Sequence, residues 1–140
     1  MRGARWIMNA SLLGCLTLVI GCTDYDGRVE VTGTVKLKGQ PLKEGFISFS
    51  PLENQNTQAQ VLIASGSYRM EQKHGLRPGK YLIRVSAGDG KTPYLTDGPP
   101  GPGGTNIISK EIVPADWNIN SKQERTVNNQ SPNKIDFDIP

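Results

Sequence analysis

The chain has 140 residues, with 16 Lys and Arg against 13 Asp and Glu, one histidine and two cysteines. Removing a leader that carries Arg2 and Arg5 leaves 14 basic against 13 acidic side chains, a balance that excludes the electrostatic footprint of a nucleic-acid binder. Only Cys22 then remains of the two thiols, which excludes an internal disulfide, and the 112 residues from Val29 to Pro140 suit one domain with an ordinary core.

Residues 1–21 read as an export signal. Arg2 and Arg5 form a basic start, Trp6 to Ile20 is largely apolar and uncharged, and Gly21-Cys22 precedes the polar Thr23-Asp24-Tyr25-Asp26. The apolar run falls short of the roughly 20 residues that a comfortable transmembrane helix needs. Val19-Ile20-Gly21-Cys22 resembles the bacterial lipobox, which implies that Cys22 is diacylated and becomes the new N-terminus. Leu12-Leu13-Gly14-Cys15 matches in letters too, but it leaves a stunted apolar region containing Asn9 and strands Leu16 to Ile20 outside the signal. A plain secretory signal with incidental cysteines is the third alternative. Thr23 in place of Asp after the cysteine points to the outer membrane rather than the inner one.

Residues 22–28 then form a short polar tether; Asp24 and Asp26 lack the further ligands of a calcium loop. From Val29 the pattern changes to period two. Val29, Val31, Val35 and Leu37 share one parity with Gly33, and Glu30, Thr32, Thr34, Lys36 and Lys38 share the other, so the strand buries one face. Gly39-Gln40-Pro41 supplies a turn, and Ile47 and Phe49 resume the alternation up to Pro51. The expectation is a strand, turn, strand unit whose apolar face the rest of the chain covers. Leu52 to Gln60 reads as a polar loop, Val61 to Ala64 and Tyr68 to Glu71 as strands around a Ser65-Gly66-Ser67 turn, and Tyr81, Ile83, Val85 and Ala87 as the inward parity of a strand after the Pro78-Gly79 turn. Tyr81 sits where a corner tyrosine packs inward and gives its hydroxyl to nearby backbone.

Four segments together carry a family resemblance: Val31 to Leu42 (Val-Thr-Gly-Thr-Val-x-Leu-x-Gly-x-Pro-Leu), Gly45 to Pro51 (Gly-x-Ile-x-Phe-x-Pro), Gly66 to Tyr68 (Gly-x-Tyr) and Leu76 to Tyr81 (Leu-x-Pro-Gly-x-Tyr). The chain resembles the carboxypeptidase regulatory-like domain, and is similar in particular to small lipoproteins of that kind in planctomycetes. The resemblance spans essentially the mature chain. It implies an all-β fold, a single seven-stranded transthyretin-like (Ig-like) β-sandwich over residues 29–140, and a non-catalytic module, because the zinc-binding catalytic part of such carboxypeptidases is separate and has no counterpart here.

Gly88 to Asn106, dense in proline and glycine, reads as a long loop with Tyr94 as its one large side chain. Pro114-Ala115-Asp116-Trp117-Asn118 resembles the family's proline, aromatic, asparagine segment ahead of a serine such as Ser121. Glu124 to Val127 is expected to pair with Lys134 to Ile139, with Ile135, Phe137 and Ile139 inward. No segment sustains a 3.6-residue period, so little helix is expected.

The residues that carry chemistry are sparse. His74, the single histidine, lies between Lys73 and Gly75 and reads as a turn residue; Ser67 lacks a nucleophile elbow. Asp136 and Asp138 share the solvent parity and read as charges that guard a strand. No cofactor and no metal site is expected. The expectation is therefore a non-catalytic, membrane-anchored cell-envelope lipoprotein, held by lipid on Cys22 and binding an envelope protein or a glycan. The alternative is a carbohydrate-binding module using the loop aromatics Tyr94 and Trp117.

Overall fold

Period-two alternation becomes a ladder almost at once. The computed structural model describes residues 25–95 and 107–140, and β1 (Val31–Leu37) opens it, with Val31 and Val35 fully buried and Thr34 and Lys36 exposed. A Lys38-Gly39 turn with both φ angles positive folds the chain onto β2 (Gln40–Pro41), which pairs with Lys36 and Leu37. The opening hairpin ends there. One further backbone bond, from the Leu42 N–H to the Val35 carbonyl at 2.9 Å, closes it, and β3 (Glu44–Pro51) pairs with β4 (Ala59–Ala64) and β6 (Gly79–Ser86) instead of β1, correcting the expected strand, turn, strand unit.

A second positive-φ turn, Ser65-Gly66, joins β4 to β5 (Ser67–Met70) through the single pair Ala64 and Ser67. β5 then crosses to pair with β1 over Val31 to Thr34. One curled, mostly antiparallel sheet results, and its two halves face each other as an all-β sandwich. One half is β4, β3, β6 and β9 (Gln123–Val127); the other is β5, β1 and the broken strand β10 (Asn133–Lys134) and β11 (Phe137–Ile139). Counted with β10 and β11 as one, these are seven principal strands.

The expected pairing of residues 124–127 with 134–139 does not form. β9 pairs with β6, whereas β10 and β11 run parallel to β1, so the turn after Val127 carries the chain from one half to the other. Asn133 holds that crossing: its side chain accepts from the Asn128 N–H at 2.8 Å and donates to the Asn128 carbonyl at 2.9 Å.

Between the halves lie Val31, Val35, Ile47, Phe49, Ile63, Tyr81, Ile83, Val85 and Ile139, all fully buried. Phe49 meets Tyr68 at 6.0 Å and Tyr81 at 6.4 Å between ring centroids, which ties the halves together. Burying each large side chain contributes about 1.5–3 kcal/mol. Tyr81 is the corner tyrosine expected from Pro78-Gly79: its hydroxyl donates to the Arg77 carbonyl at 2.8 Å and lies 2.6 Å from the Thr57 hydroxyl. Burial pushes the Tyr81 phenol up from its ordinary pKa.

The segment read as a long loop is partly a ribbon. β7 (Gly88–Leu95) pairs antiparallel with β8 (Ile107–Glu111) as a separate two-stranded sheet, with a register shift between Gly88 and Pro93. Proline is tolerated because a two-stranded ribbon has an unpaired outer side on each strand. Residues 96–106 lie outside the described residues.

Candidate functional site

The strands run between two poles. At the first, Val29 is bonded to Leu76 in both directions, at 2.8 and 3.3 Å. Arg28 donates to the Gly75 carbonyl at 3.0 Å, and Arg77 makes an ion pair with Asp26. The chain therefore enters the sandwich at this pole. At the other, the ends of β1, β3 and β6 meet the base of the β7–β8 ribbon, and two adjoining clefts share Glu44, Gly88 and Gly90.

Apolar side chains reach solvent here. Phe46 and Leu62 are cross-strand partners on β3 and β4, 49% and 55% exposed, and line one cleft; Ile112, 37% exposed, lines the other. Glu111 fixes the cleft wall. Its Oε1 accepts from the N–H groups of Ala87 (3.0 Å) and Val113 (2.9 Å), and its Oε2 from the Ser86 hydroxyl (2.6 Å) and the Asn118 amide (2.7 Å). A carboxylate with both oxygens so engaged works as a clamp between β6, β8 and the following 3-10 turn (Ala115–Trp117).

Only some of the residues singled out in the sequence have described side chains. Cys22 lies outside the described residues. Tyr94 pairs through its backbone with Ile108 on the ribbon, and its side chain also lies outside them. Trp117, half-buried, sets its ring edge-on against Phe137 with centroids 6.2 Å apart, so part of it belongs to the core. Arg125 stacks over the same Phe137 ring at 5.1 Å. Ser121, behind Trp117, is buried and donates to the Ile83 carbonyl.

His74 is exposed at the end of the 3-10 turn Gln72–His74. Asp138 stands opposite Lys36 in the ladder. Asp136 occupies the break between β10 and β11, where its Oδ1 accepts from the Thr34 N–H (2.8 Å) and hydroxyl (2.9 Å). The Thr34 hydroxyl is the main reason its carboxyl lies below the usual carboxylate range. Among the described residues, no three His, Cys, Asp or Glu side chains are placed to share a metal ion.

Sequence reasoning missed the distal clefts. Phe46 was a usable signal, since it takes the solvent parity of β3 between the inward Gly45 and Ile47. Glu111 gave none, because its four partners come from two strand ends and a turn. No family model, curated protein or solved structure matches the chain.

Proposed function

We propose that the chain is a non-catalytic, exported lipoprotein of the carboxypeptidase regulatory-like type, anchored in the bacterial cell envelope by lipid on Cys22, with its sandwich serving as a binding module. The supporting observation is the polarity of the domain. The chain enters at the Val29 pole, seven residues after the start of the tether at Cys22, a reach of at most about 24 Å. The clefts with Phe46, Leu62 and Ile112 open at the opposite pole, away from a surface holding the tether. Exposed apolar side chains grouped beside a cleft favour a protein partner.

The anchor is tested by membrane fractionation and by mass analysis of the mature N-terminus. Cys22→Ser releases the protein to the soluble fraction, and Cys15→Ser leaves it membrane-bound. A mature N-terminus at another residue, without lipid, overturns the lipoprotein reading. The binding module is tested by recovering envelope proteins on the acylated chain and on Ile112→Asp; equal recovery by both removes the cleft from the reading.

A further inference from the structure

β3 and β6 diverge at the distal pole. Their ladder begins at Phe46 and Ser86, and two residues further it would set Glu44 across from Gly88, but Gly88 has turned to pair with Glu111 on β8. Glu44 is left without a ladder partner on this side. The Lys80 carbonyl accepts from the Leu52 N–H at 3.0 Å, so the even-numbered residues of the two strands turn their main-chain groups toward each other, and by the same alternation the N–H and C=O of Glu44 face the gap. The opposite wall is main chain as well. Gly88 and Gly90 bring no side chain into the gap, and Gly90, with φ of 64°, lies in the register shift where β7 leaves the β8 ladder. Glycine inside a strand lets another backbone approach closely.

The gap joins the two distal clefts, which share Glu44, Gly88 and Gly90. Apolar surface lies in both, from Phe46 and Leu62 in one and Ile112 in the other. Their charge is unbalanced. One lysine, Lys43, stands against the carboxylates of Glu44, Asp89 and Glu111 along the joined clefts, and the exposed Glu44 side chain enters none of the ion pairs among the described residues.

We propose that this gap is a peptide-docking slot, which takes a short extended segment of another protein with its main chain between Glu44 and the two glycines, two apolar side chains in the clefts and a lysine or arginine at the Glu44 carboxylate. The proposal rests on the reading of the distal clefts as the binding face and gives that face the chemistry of its partner. Main chain supplies affinity in such a mode, and pockets for side chains supply specificity. The excess of carboxylates selects a basic segment and repels an acidic one.

Fluorescence anisotropy on the full-length acylated protein in non-ionic detergent tests this with labelled pentapeptide probes that combine one lysine with two apolar residues between terminal threonines, in every order. The best probe binds with a Kd of about 1 mM or lower. Replacing its lysine by glutamate weakens it about tenfold or more, and methylating its backbone nitrogens one at a time does the same at one position at least, because a main-chain donor is lost. Glu44→Lys, at an exposed position, reverses the preference between lysine and glutamate probes with an unchanged melting midpoint. Amide shifts on isotope-labelled protein gather at Glu44, Gly88 and Gly90. Failure of every probe to saturate up to about 5 mM overturns the proposal, as do equal affinities for lysine and glutamate probes, a preference that survives Glu44→Lys, or shifts gathered elsewhere. Chitotetraose moving these amides where the peptides do not overturns it in favour of a glycan. If the peptides fail while recovery of envelope proteins still depends on Ile112, the binding face stands and the extended docking mode alone is removed.

Discussion

Tyr68 stands directly across from Gly33 in the β1–β5 ladder, and its hydroxyl donates to the Ile135 carbonyl at 2.7 Å. Gly33 is where the ring has to lie. A Cβ built there would fall 1.8 Å from the Ile135 oxygen and 2.8 Å from the Tyr68 ring, so neither the parallel strand nor the ring could keep its place. Gly33→Ala is expected to destabilise the domain by about 3 kcal/mol, at the upper end of the usual cost of overpacking. Tyr68→Phe should cost about 1–3 kcal/mol, by leaving the carbonyl without its donor. Urea unfolding monitored by tryptophan fluorescence measures both. A Gly33→Ala protein as stable as wild type would show that the ladder can slide open at this point.

The two parities of β1 and β3 should respond unequally. Phe49→Ala removes a fully buried ring that touches Tyr68 and Tyr81, at a cost of about 3–5 kcal/mol. Lys36→Ala acts on an exposed side chain and should stay within about 0.5 kcal/mol. Comparable losses at both positions would mean that β1 is covered on its outer face as well.

The inward parity was legible because burial repeats every second residue and leaves its mark on side-chain type. Val31, Val35, Ile47, Phe49, Tyr81, Ile83, Val85, Phe137 and Ile139 were all assigned inward and all are buried. Strand partners were not legible. The same alternation in 134–139 suits pairing with β9 or with β1, and the choice falls on β1 because Asn133 and Asp136 make contacts more than a hundred residues from the start of the strand they serve. Thr34 shows a second limit. Its parity is polar, yet its hydroxyl and N–H hold Asp136, so the outer face of β1 is not neutral there. At the distal pole, the clefts depend on where β6 ends relative to the ribbon, a relation that no local pattern encodes.

Asp136 should hold its charge in the folded chain to lower pH than an ordinary carboxylate. Its folded-state pKa is lowered, chiefly by the Thr34 hydroxyl, below the unfolded value of about 3.9. The stabilisation is therefore complete above that value and is lost as pH falls through the lowered one. Asp136→Asn should flatten the fall in unfolding midpoint below about pH 4, and Thr34→Val, which keeps the N–H donor, should flatten it partway. Half of the Asp136 side chain is exposed, at 48%, so the effect is modest and best read as a change of slope in urea midpoints against pH. An Asp136→Asn slope equal to wild type would assign the acid sensitivity to other carboxylates.

Glu111 offers a local test of how the ribbon is held. Glutamine in its place can accept through only one oxygen, and its NH2 group would face the Asn118 amide and the Ser86 hydroxyl now bonded to Oε2. One side of the clamp is thereby turned from attraction to a clash of donors with Asn118. Glu111→Gln should cost about 1–3 kcal/mol, with the loss concentrated near the distal pole. Hydrogen exchange distinguishes local from global loss: the Ala87 and Val113 amides, which donate to Oε1 at 3.0 and 2.9 Å, should exchange faster as the clamp loosens. The Gly33 and Tyr68 region of the β1–β5 ladder, on the other half of the sandwich, should keep its protection. A uniform acceleration across both halves would mean that Glu111 supports the sandwich as a whole, and the ribbon could then no longer be treated as an independently opening unit.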